Sequence, residues 1–355
     1  MRMKKAVFIE LTRAHSECIY SQLLYLKTSG YHVELICNAA HLHNVVEIKK
    51  IADQTMFINV RRPYVDTICN YIASRQFDNV IIGSAFYNRD HRVVRKLAAV
   101  CSADIFGVLH DMSKVSPKEL EKPDIRQYTE KVNRFFVLAD YIAANAPKQA
   151  GLEFEIIPLM FQPDYPPVNI DKPDGDIWIA IPGAVNFKRR DYMALLPMNG
   201  EEYAANVKFI MLGWDYGRKT AGFRDELRRR GIEKHFVFFD KFVDVAAFQS
   251  WIKKCDYIMP LIHERCDAFR DYLSVKITGN LNVALTYRKP MLCDEAFRAI
   301  PEYAAHSIFY ERSRLCRVVN GLGVPDTERF YDAEFERLHS LEVLAARYDA
   351  FLSRK

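Results

Sequence analysis

The feature that most restricts the fold of this chain is a regular alternation of short apolar runs with stretches whose apolar residues have helical spacing. Such an alternation predicts a parallel sheet with helices on both faces. In the first half, the predicted strands cover residues 5–10, 31–37, 55–60, 79–83, 104–109 and 134–138. The predicted helices between them cover 16–29, 45–52, 64–75, 89–101 and 126–132.

The alternation stops in a segment with five prolines, residues 158–175, and then begins again. Prolines at this density favour a linker. The second set of predicted strands covers 176–181, 208–212, 235–239, 257–262 and 290–293, with helices at 222–230, 244–254 and 270–287. Residues 334–352 have the spacing of an amphipathic helix. We therefore predict an N-terminal Rossmann-like domain (1–157), a linker (158–175), a C-terminal Rossmann-like domain (176–332) and a closing helix (333–355).

Composition excludes several classes of protein. The chain has 355 residues, of which 50% are hydrophobic and 27% charged, so it does not resemble a disordered protein. A net charge of +5 is too weak for a dedicated nucleic-acid binder and suits a protein that handles small anions or lies near anionic lipid. The eight cysteines form no CxxC pair, which favours free thiols in a reducing cytoplasm and argues against a structural zinc site.

The turn after the first strand, residues 10–17, contains no glycine, which argues against a nicotinamide- or flavin-dependent dehydrogenase. It contains His15 between the carboxylates of Glu10 and Glu17. An imidazole at a strand end can act as a general base, because its pKa lies near working pH. Alternatively, Ser16 and Glu17 cap the next helix and His15 is solvated.

His110 and Asp111 follow the predicted strand 104–109 in the same way. An aspartate at this position is often an N-cap, but a His-Asp pair at a sheet edge can also contact a sugar or hold a proton. Both readings stay open at this point.

The strongest local signal lies at the start of the second domain. Gly183 ends a predicted strand, and a short loop leads to Lys188, Arg189 and Arg190. Glycine allows the backbone to approach a ligand, and the amides of a helix N-terminus attract anions. The three cations can then neutralise a diphosphate, although a solvated basic turn has the same sequence.

A second group of polar residues lies further along the domain. His263 follows the predicted strand 257–262, and Tyr272, Lys276, Thr278 and Gly279 come later. A cation, a hydroxyl and backbone amides near a helix start suit phosphate oxygens. They also suit an ordinary polar helix start.

In this order, the motifs of residues 177–295 resemble those of GT-B-fold glycosyltransferases, which have two Rossmann-like domains and take a sugar from a nucleotide donor. The resemblance rests on six pieces: Gly183 with its downstream cations, a strand ending at Gly213, the loop 238–243, the segment 256–260, the segment 276–279 and the strand entry 284–290. Many retaining members carry two glutamates, with seven residues between them, around the later glycine. Here Lys276 occupies the first place, and Val283 or Ala284 falls near the second.

The resemblance implies an α/β protein of two Rossmann-like domains with parallel sheets facing across a cleft. It also implies transfer of a sugar from a nucleotide donor, with a UDP-sugar favoured, to a hydroxyl of a glycan or lipid-linked acceptor in polysaccharide or glycan-precursor synthesis. Group members work without a bound metal or cofactor, so we expect none, and we expect a cytoplasmic protein with peripheral contact to the inner face of the cell membrane. We expect no nucleic-acid partner.

The same resemblance distributes the candidate residues among roles. The donor diphosphate is assigned to the glycines and cations of the second half, with Lys276 at a helix start facing Gly183. The full assignment is as follows: catalysis by His15, His110 and Asp111; diphosphate binding by Gly183, Lys188, Arg189, Arg190, Lys276, Thr278 and Gly279; base or sugar binding by Phe242, His263 and Tyr272; and acceptor binding by Glu10 and Glu17.

Two other functions remain open. A sugar-nucleotide epimerase of the same fold would need an acid/base pair of carboxylates and would release free nucleotide. A non-catalytic binding protein would keep the fold without hydrolysing the donor.

Overall fold

The computed structural model describes residues 2–87, 90–148, 151–198, 200–214 and 218–354, which form two compact α/β units. Unit 1 comprises Met1–Asp164, Val275–Ile277 and Glu334–Lys355. Unit 2 comprises Tyr165–Ser274 and Thr278–Ala333. The first passage between the units lies within the proline-containing segment 158–175 and has no regular secondary structure around it.

Among its described residues, unit 1 contains seven strands that form one parallel sheet in the order β3-β2-β1-β4-β5-β6-β7. The strands are β1 (Lys5–Glu10), β2 (His32–Asn38), β3 (Gln54–Ile58), β4 (Asn79–Ile82), β5 (Asp104–Leu109), β6 (Arg134–Val137) and β7 (Glu153–Ile156). The helices between them are α1 (Ile19–Thr28), α2 (Val65–Arg75), α3 (Asp90–Val100), α4 (Pro117–Leu120), α5 (Pro123–Thr129) and α6 (Asp140–Ala144).

In the part of unit 2 that the structure describes, six parallel strands follow the order β10-β9-β8-β11-β12-β13. The strands are β8 (Ile177–Ala180), β9 (Val207–Trp214), β10 (Phe236–Phe239), β11 (Tyr257–Ile258), β12 (Met291–Asp294) and β13 (Ser307–Tyr310). The helices are α7 (Arg218–Arg229), α8 (Val245–Lys254), α9 (Phe269–Tyr272), α10 (Gly279–Tyr287), α11 (Pro301–His306) and α12 (Leu315–Asn320). Both units therefore have the Rossmann strand order, and the predicted α/β class with two parallel sheets is confirmed.

The chain ends in two helices, α13 (Ala333–Leu338) and α14 (Leu341–Leu352), and α14 packs in unit 1. The Tyr348 ring stacks on Phe136 of β6 with 4.1 Å between ring centroids, and both side chains are fully buried. The Ser29 hydroxyl at the end of α1 donates a hydrogen bond to the Ala345 carbonyl. The last helix thus closes the apolar core of unit 1, since its buried face covers the aromatic residues of the sheet.

Three predicted helices differ from the structure. The stretch 45–52 forms only a short 3-10 turn, Ile48–Lys50, and its β-branched residues are weak helix formers. The stretch 270–287 is divided into α9 and α10, because Thr278 caps α10 by accepting a hydrogen bond from the Asn280 amide. The stretch 334–352 is divided in the same way by Ser340, which caps α14. Strands β7 and β13 were not predicted.

All eight cysteines are unpaired, and seven of them are buried. In the part of the chain that the structure describes, no helix has the length and apolar composition needed to cross a bilayer.

Candidate functional sites

The strand order reverses between β1 and β4 in unit 1 and between β8 and β11 in unit 2. Glu10 ends β1, His15 follows it, and Gly183 and His263 follow β8 and β11, so these candidates lie beside the reversal points. Ligands of open parallel sheets bind at this point, beyond the carboxyl ends of the strands. The loops there contain four non-glycine residues with positive φ: His15 at 68° and Phe86 at 66° in unit 1, Leu261 at 57° and Ala268 at 61° in unit 2. Strained backbone of this kind concentrates at functional sites.

In unit 1 the structure brings His15 and His110 together. Their rings stack with centroids 4.1 Å apart and an angle of 14° between the planes. The Nε2 atom of His110 lies 2.8 Å from the Gly83 carbonyl oxygen, which fixes the ring. On the exposed side, His15 Nδ1 lies 3.6 Å from Glu17 Oε1, and its Nε2 atom lies 3.5 Å from the Tyr87 hydroxyl.

The two imidazoles have opposite pKa shifts. Burial, together with the positive charge of His15, lowers the pKa of His110 to about 3. Partial burial also acts to lower the pKa of His15, but the adjacent Glu17 and the charge of Glu10 outweigh it, so the pKa of His15 is raised. The buried ring is therefore neutral at working pH, and the outer ring is the one that takes up a proton.

Glu10 lies beneath this pair at the end of β1 and is 1% exposed. Its carboxylate accepts hydrogen bonds from the Thr12 amide and hydroxyl at 2.8 and 2.6 Å and from the Ser84 hydroxyl at 2.7 Å. Burial raises its pKa, although these hydrogen bonds act in the opposite direction. Glu10 thus holds the loops after β1 and β4 together, whereas Glu17 is exposed.

Ligand atoms of His15, Cys18 and His110 also lie within 4.8 Å of one another. A metal ion binds in the plane of each imidazole that it coordinates, and the two rings here lie in nearly parallel planes. Shared coordination would require one ring to leave the stack. The geometry of this cluster therefore suits proton transfer better than metal binding.

The Asp111 carboxylate has partners in both Ser113 and Lys276. Its side chain caps the 3-10 helix Met112–Val115 by accepting a hydrogen bond from the Ser113 amide at 3.0 Å. Lys276 Nζ lies 3.3 Å from Asp111 Oδ2, and the backbones of these two residues form an isolated antiparallel bridge. Lys276 therefore belongs to unit 1, whereas the sequence interpretation placed it with the donor residues of the second domain. The physical reason is this backbone pairing, which no local sequence pattern encodes.

In unit 2 the loop after β8 is fixed by Arg190. Gly183 has φ of 99°, and the Arg190 guanidinium donates hydrogen bonds to the carbonyls of Pro182 and Ala184 on either side of it. Gly213 at the end of β9 approaches so closely that a Cβ there would lie 2.0 Å from the Gly183 oxygen. Arg190 is thus occupied in holding the loop, and this loop needs glycine at both positions.

Lys188 and Arg189 lie on the outside of the same turn. Both are exposed, and in the described part of the chain neither has an ion-pair partner. The turn is held by Asn186, whose side chain accepts from the Lys188 amide at 2.9 Å and whose carbonyl accepts from the Arg189 amide at 3.0 Å. These two cations remain available for an anionic ligand.

The other predicted donor residues of unit 2 occupy different positions. Thr278 is the buried N-cap of α10, and Gly279 begins that helix with an exposed backbone. Its first amides favour an anion. Phe242, in the loop after β10, is 64% exposed, and Tyr272 is half-buried at the end of α9.

His263 is 2% exposed and takes part in a buried polar cluster. Its Nδ1 atom lies 3.2 Å from Asp191 Oδ2, and its Nε2 atom lies 3.1 Å from the Tyr310 hydroxyl. Arg312 donates to the same Asp191 oxygen at 2.6 Å. Sequence reasoning missed Asp191 and Arg312. Asp191 directly follows the cations, but Arg312 is placed by β13, a strand that was not predicted.

No family model and no curated protein matches the chain. Solved structures do. The HepE protein of Anabaena, crystallised with UDP and glucose, matches with a TM-score of 0.63 at 13% identity, covering 99% of each chain. The chain has the GT-B fold. A glycosyltransferase of kitacinnamycin matches with a TM-score of 0.58 at 10% identity over 99% of this chain and 100% of that one. A UDP-N-acetylglucosamine 2-epimerase matches with a TM-score of 0.60 at 12% identity over 99% and 96%.

Proposed function

We propose that this protein is a glycosyltransferase that moves a sugar from a UDP-sugar to a hydroxyl group of a glycan or lipid-linked acceptor, in polysaccharide or glycan-precursor synthesis. The fold is shared with a protein crystallised with UDP and glucose, which supports a nucleotide-sugar donor. The observation that carries the proposal is the imidazole pair of unit 1, in which one ring is held neutral and the other takes up protons.

In the proposed reaction, His15 accepts the proton of the acceptor hydroxyl in unit 1. The hydroxyl oxygen forms a bond to the anomeric carbon, and the bond from that carbon to the donor phosphate oxygen breaks, so that UDP leaves with the electron pair. In unit 2, Lys188, Arg189 and the first amides of α10 offset the charge that develops on the diphosphate. These cations and amides take the part that a metal ion plays in other enzymes.

The alternative is a sugar-nucleotide epimerase, since an epimerase has the same fold. Epimerisation would need two carboxylates as acid and base. The carboxylates that β1 and β5 bring to the edge of unit 1 are both engaged, Glu10 by Thr12 and Ser84, and Asp111 by Ser113 and Lys276. This engagement favours the histidine and hence transfer to a hydroxyl.

Product analysis tests the proposal. The chain is first screened by thermal shift against UDP, GDP, CDP and their sugars, and each hit is then incubated alone and with glycan acceptors. We expect slow donor hydrolysis and faster transfer, and His15→Ala should lower turnover by about 10²–10⁴ with UDP affinity unchanged. Release of an epimerised sugar together with UDP, without dependence on an acceptor, would support the epimerase instead.

We also propose that unit 1 contacts an anionic membrane, because two neighbouring loops expose both apolar and cationic side chains. Leu42 and Val46, after β2, are 44% and 40% exposed. Lys49 in the same segment and Arg61 and Arg62 after β3 are exposed, with no ion-pair partner in the described residues. Apolar side chains with flanking cations suit the headgroup region of an anionic bilayer.

A further inference from the structure

A buried carboxylate holds the basic turn after β8, residues 186–190, in place. Asp191 directly follows the cations and is 8% exposed. Arg312 binds it with two nitrogen atoms: Nε donates to Oδ2 at 2.6 Å, and Nη2 donates to Oδ1 at 3.5 Å. Burial opposes the ionisation of Asp191, but His263 and Arg312 hold its pKa well below the usual range. The carboxylate is therefore charged and has two partners.

The backbone of the turn is tied to the loop after β11 at both ends. The Asp191 amide donates to the carbonyl of Leu261, and the Asp267 amide donates to the Lys188 carbonyl at 2.6 Å. Leu261 itself has a positive φ of 57°. Strained backbone persists only where its surroundings fix it. The turn that presents Lys188 and Arg189 is thus held by hydrogen bonds to the loop after β11 in addition to its internal hydrogen bonds to Asn186.

A buried ion cluster is poor evidence for stability, because apolar residues of similar volume often serve as well. What such a cluster does supply is a defined position for the segment that carries it. The Arg190 guanidinium is hydrogen-bonded to the carbonyls around Gly183. Lys188 and Arg189, which lie on the outside of the turn, are therefore the cations that would bind the diphosphate.

We infer that Asp191, Arg312 and His263 form a positioning clamp that sets the basic turn for binding of a nucleoside diphosphate, without contacting the ligand. The inference rests on the proposed function, since it assumes that unit 2 binds UDP. In this inference Asp191 and Arg312 are positioning residues. His263 has the same role and does not make the contact with the base or sugar that the sequence predicts.

The Asp191→Asn substitution tests this inference, because the two possible roles of Asp191 predict opposite changes in UDP affinity. The substitution keeps the shape and removes a negative charge close to the anion site. If Asp191 were only a neighbouring charge, UDP binding would tighten. If it positions the turn, loss of its charge-assisted hydrogen bonds weakens UDP binding, and we expect about tenfold or more. Uridine, which lacks the diphosphate, should keep its affinity.

The experiment is calorimetry with UDP and uridine on the full chain, with thermal unfolding as a control. Glu264→Gln removes an exposed carboxylate from the loop that anchors the turn and should leave UDP binding unchanged or tighter. Arg312→Gln should weaken UDP but not uridine, and Arg312→Lys should recover only part of the loss, because lysine lacks the planar fork.

The outcomes separate the two levels of the proposal. Unchanged or tighter UDP binding by Asp191→Asn would overturn the clamp and leave the proposed function intact. If Asp191→Asn loses both ligands because the fold loosens, Arg312→Gln decides, and an equal loss of UDP and uridine there would overturn the clamp. A wild-type chain that binds no nucleoside diphosphate would overturn the proposed function and the clamp with it.

Discussion

Gly213→Ala tests whether the loop around Gly183 must lie where the structure places it. A Cβ at residue 213 would lie 2.0 Å from the Gly183 oxygen, 2.4 Å from its carbonyl carbon and 2.8 Å from the Ala184 nitrogen. All three are backbone atoms, so no rotamer change relieves the contact. Since Cβ contacts below 3.0 Å are essentially never seen, the loop must move by at least 1.0 Å. The Gly183 amide, which donates to the Leu212 carbonyl at 2.8 Å, moves with it.

Overpacking of this kind costs about 1–3 kcal/mol, and we expect the free energy of unfolding to fall by that amount. UDP affinity should fall about tenfold or more, because a 1 Å displacement of positioning groups is costly. Urea unfolding and calorimetry with UDP measure the two effects. Gly222→Ala in α7 is the matched control: a Cβ there meets nothing within 4 Å, and the helix should become slightly more stable. Wild-type stability and UDP affinity in Gly213→Ala would refute the reasoning.

Four further substitutions test other parts of the proposal. Lys188→Ala and Arg189→Ala should weaken UDP binding by about 1.5–3 kcal/mol at whichever residue contacts the diphosphate, as measured by calorimetry. Glu17→Gln should move the acid limb of the pH–rate profile to lower pH. The base must be neutral to act, Glu17 raises the pKa of His15, and removing that charge lowers it. Val46→Asp should reduce sedimentation with phosphatidylglycerol-containing vesicles by about fivefold or more, because it places a charge on an apolar contact.

Each of these predictions has a control variant or a result that would contradict it. Lys253→Ala removes an exposed cation at the end of α8 and should not affect UDP, and equal losses there would point to net charge alone. An acid limb that stays in place in Glu17→Gln would show that His15 does not set it. Val343→Asp, at an exposed valine of α14, should leave vesicle binding unchanged, and an equal loss would remove the case for the loops after β2 and β3.

The sequence by itself was enough to predict the alternating architecture. Ile81 and Ile82 of β4, or Phe209 and Ile210 of β9, lie in short apolar runs that are typical of a strand buried on both faces, and such runs are local. The positions of the candidate residues followed from the same pattern, because a polar residue directly after a predicted strand lies at the carboxyl edge of the sheet. Gly183 and its cations, and the two histidines of unit 1, were found in this way.

What each side chain does at that edge was decided by the tertiary structure. Arg190 turns back onto the carbonyls around Gly183, His110 is buried against His15, and Lys276 pairs with Asp111. The contacts of His110 with His15 and of Lys276 with Asp111 join residues that are distant in the chain, and all three contacts depend on how the loops pack. Local periodicity encodes which residues reach the edge of the sheet. Only the packing of the loops determines which remain free to bind a ligand, because a cation or carboxylate that satisfies a buried partner is no longer available to one.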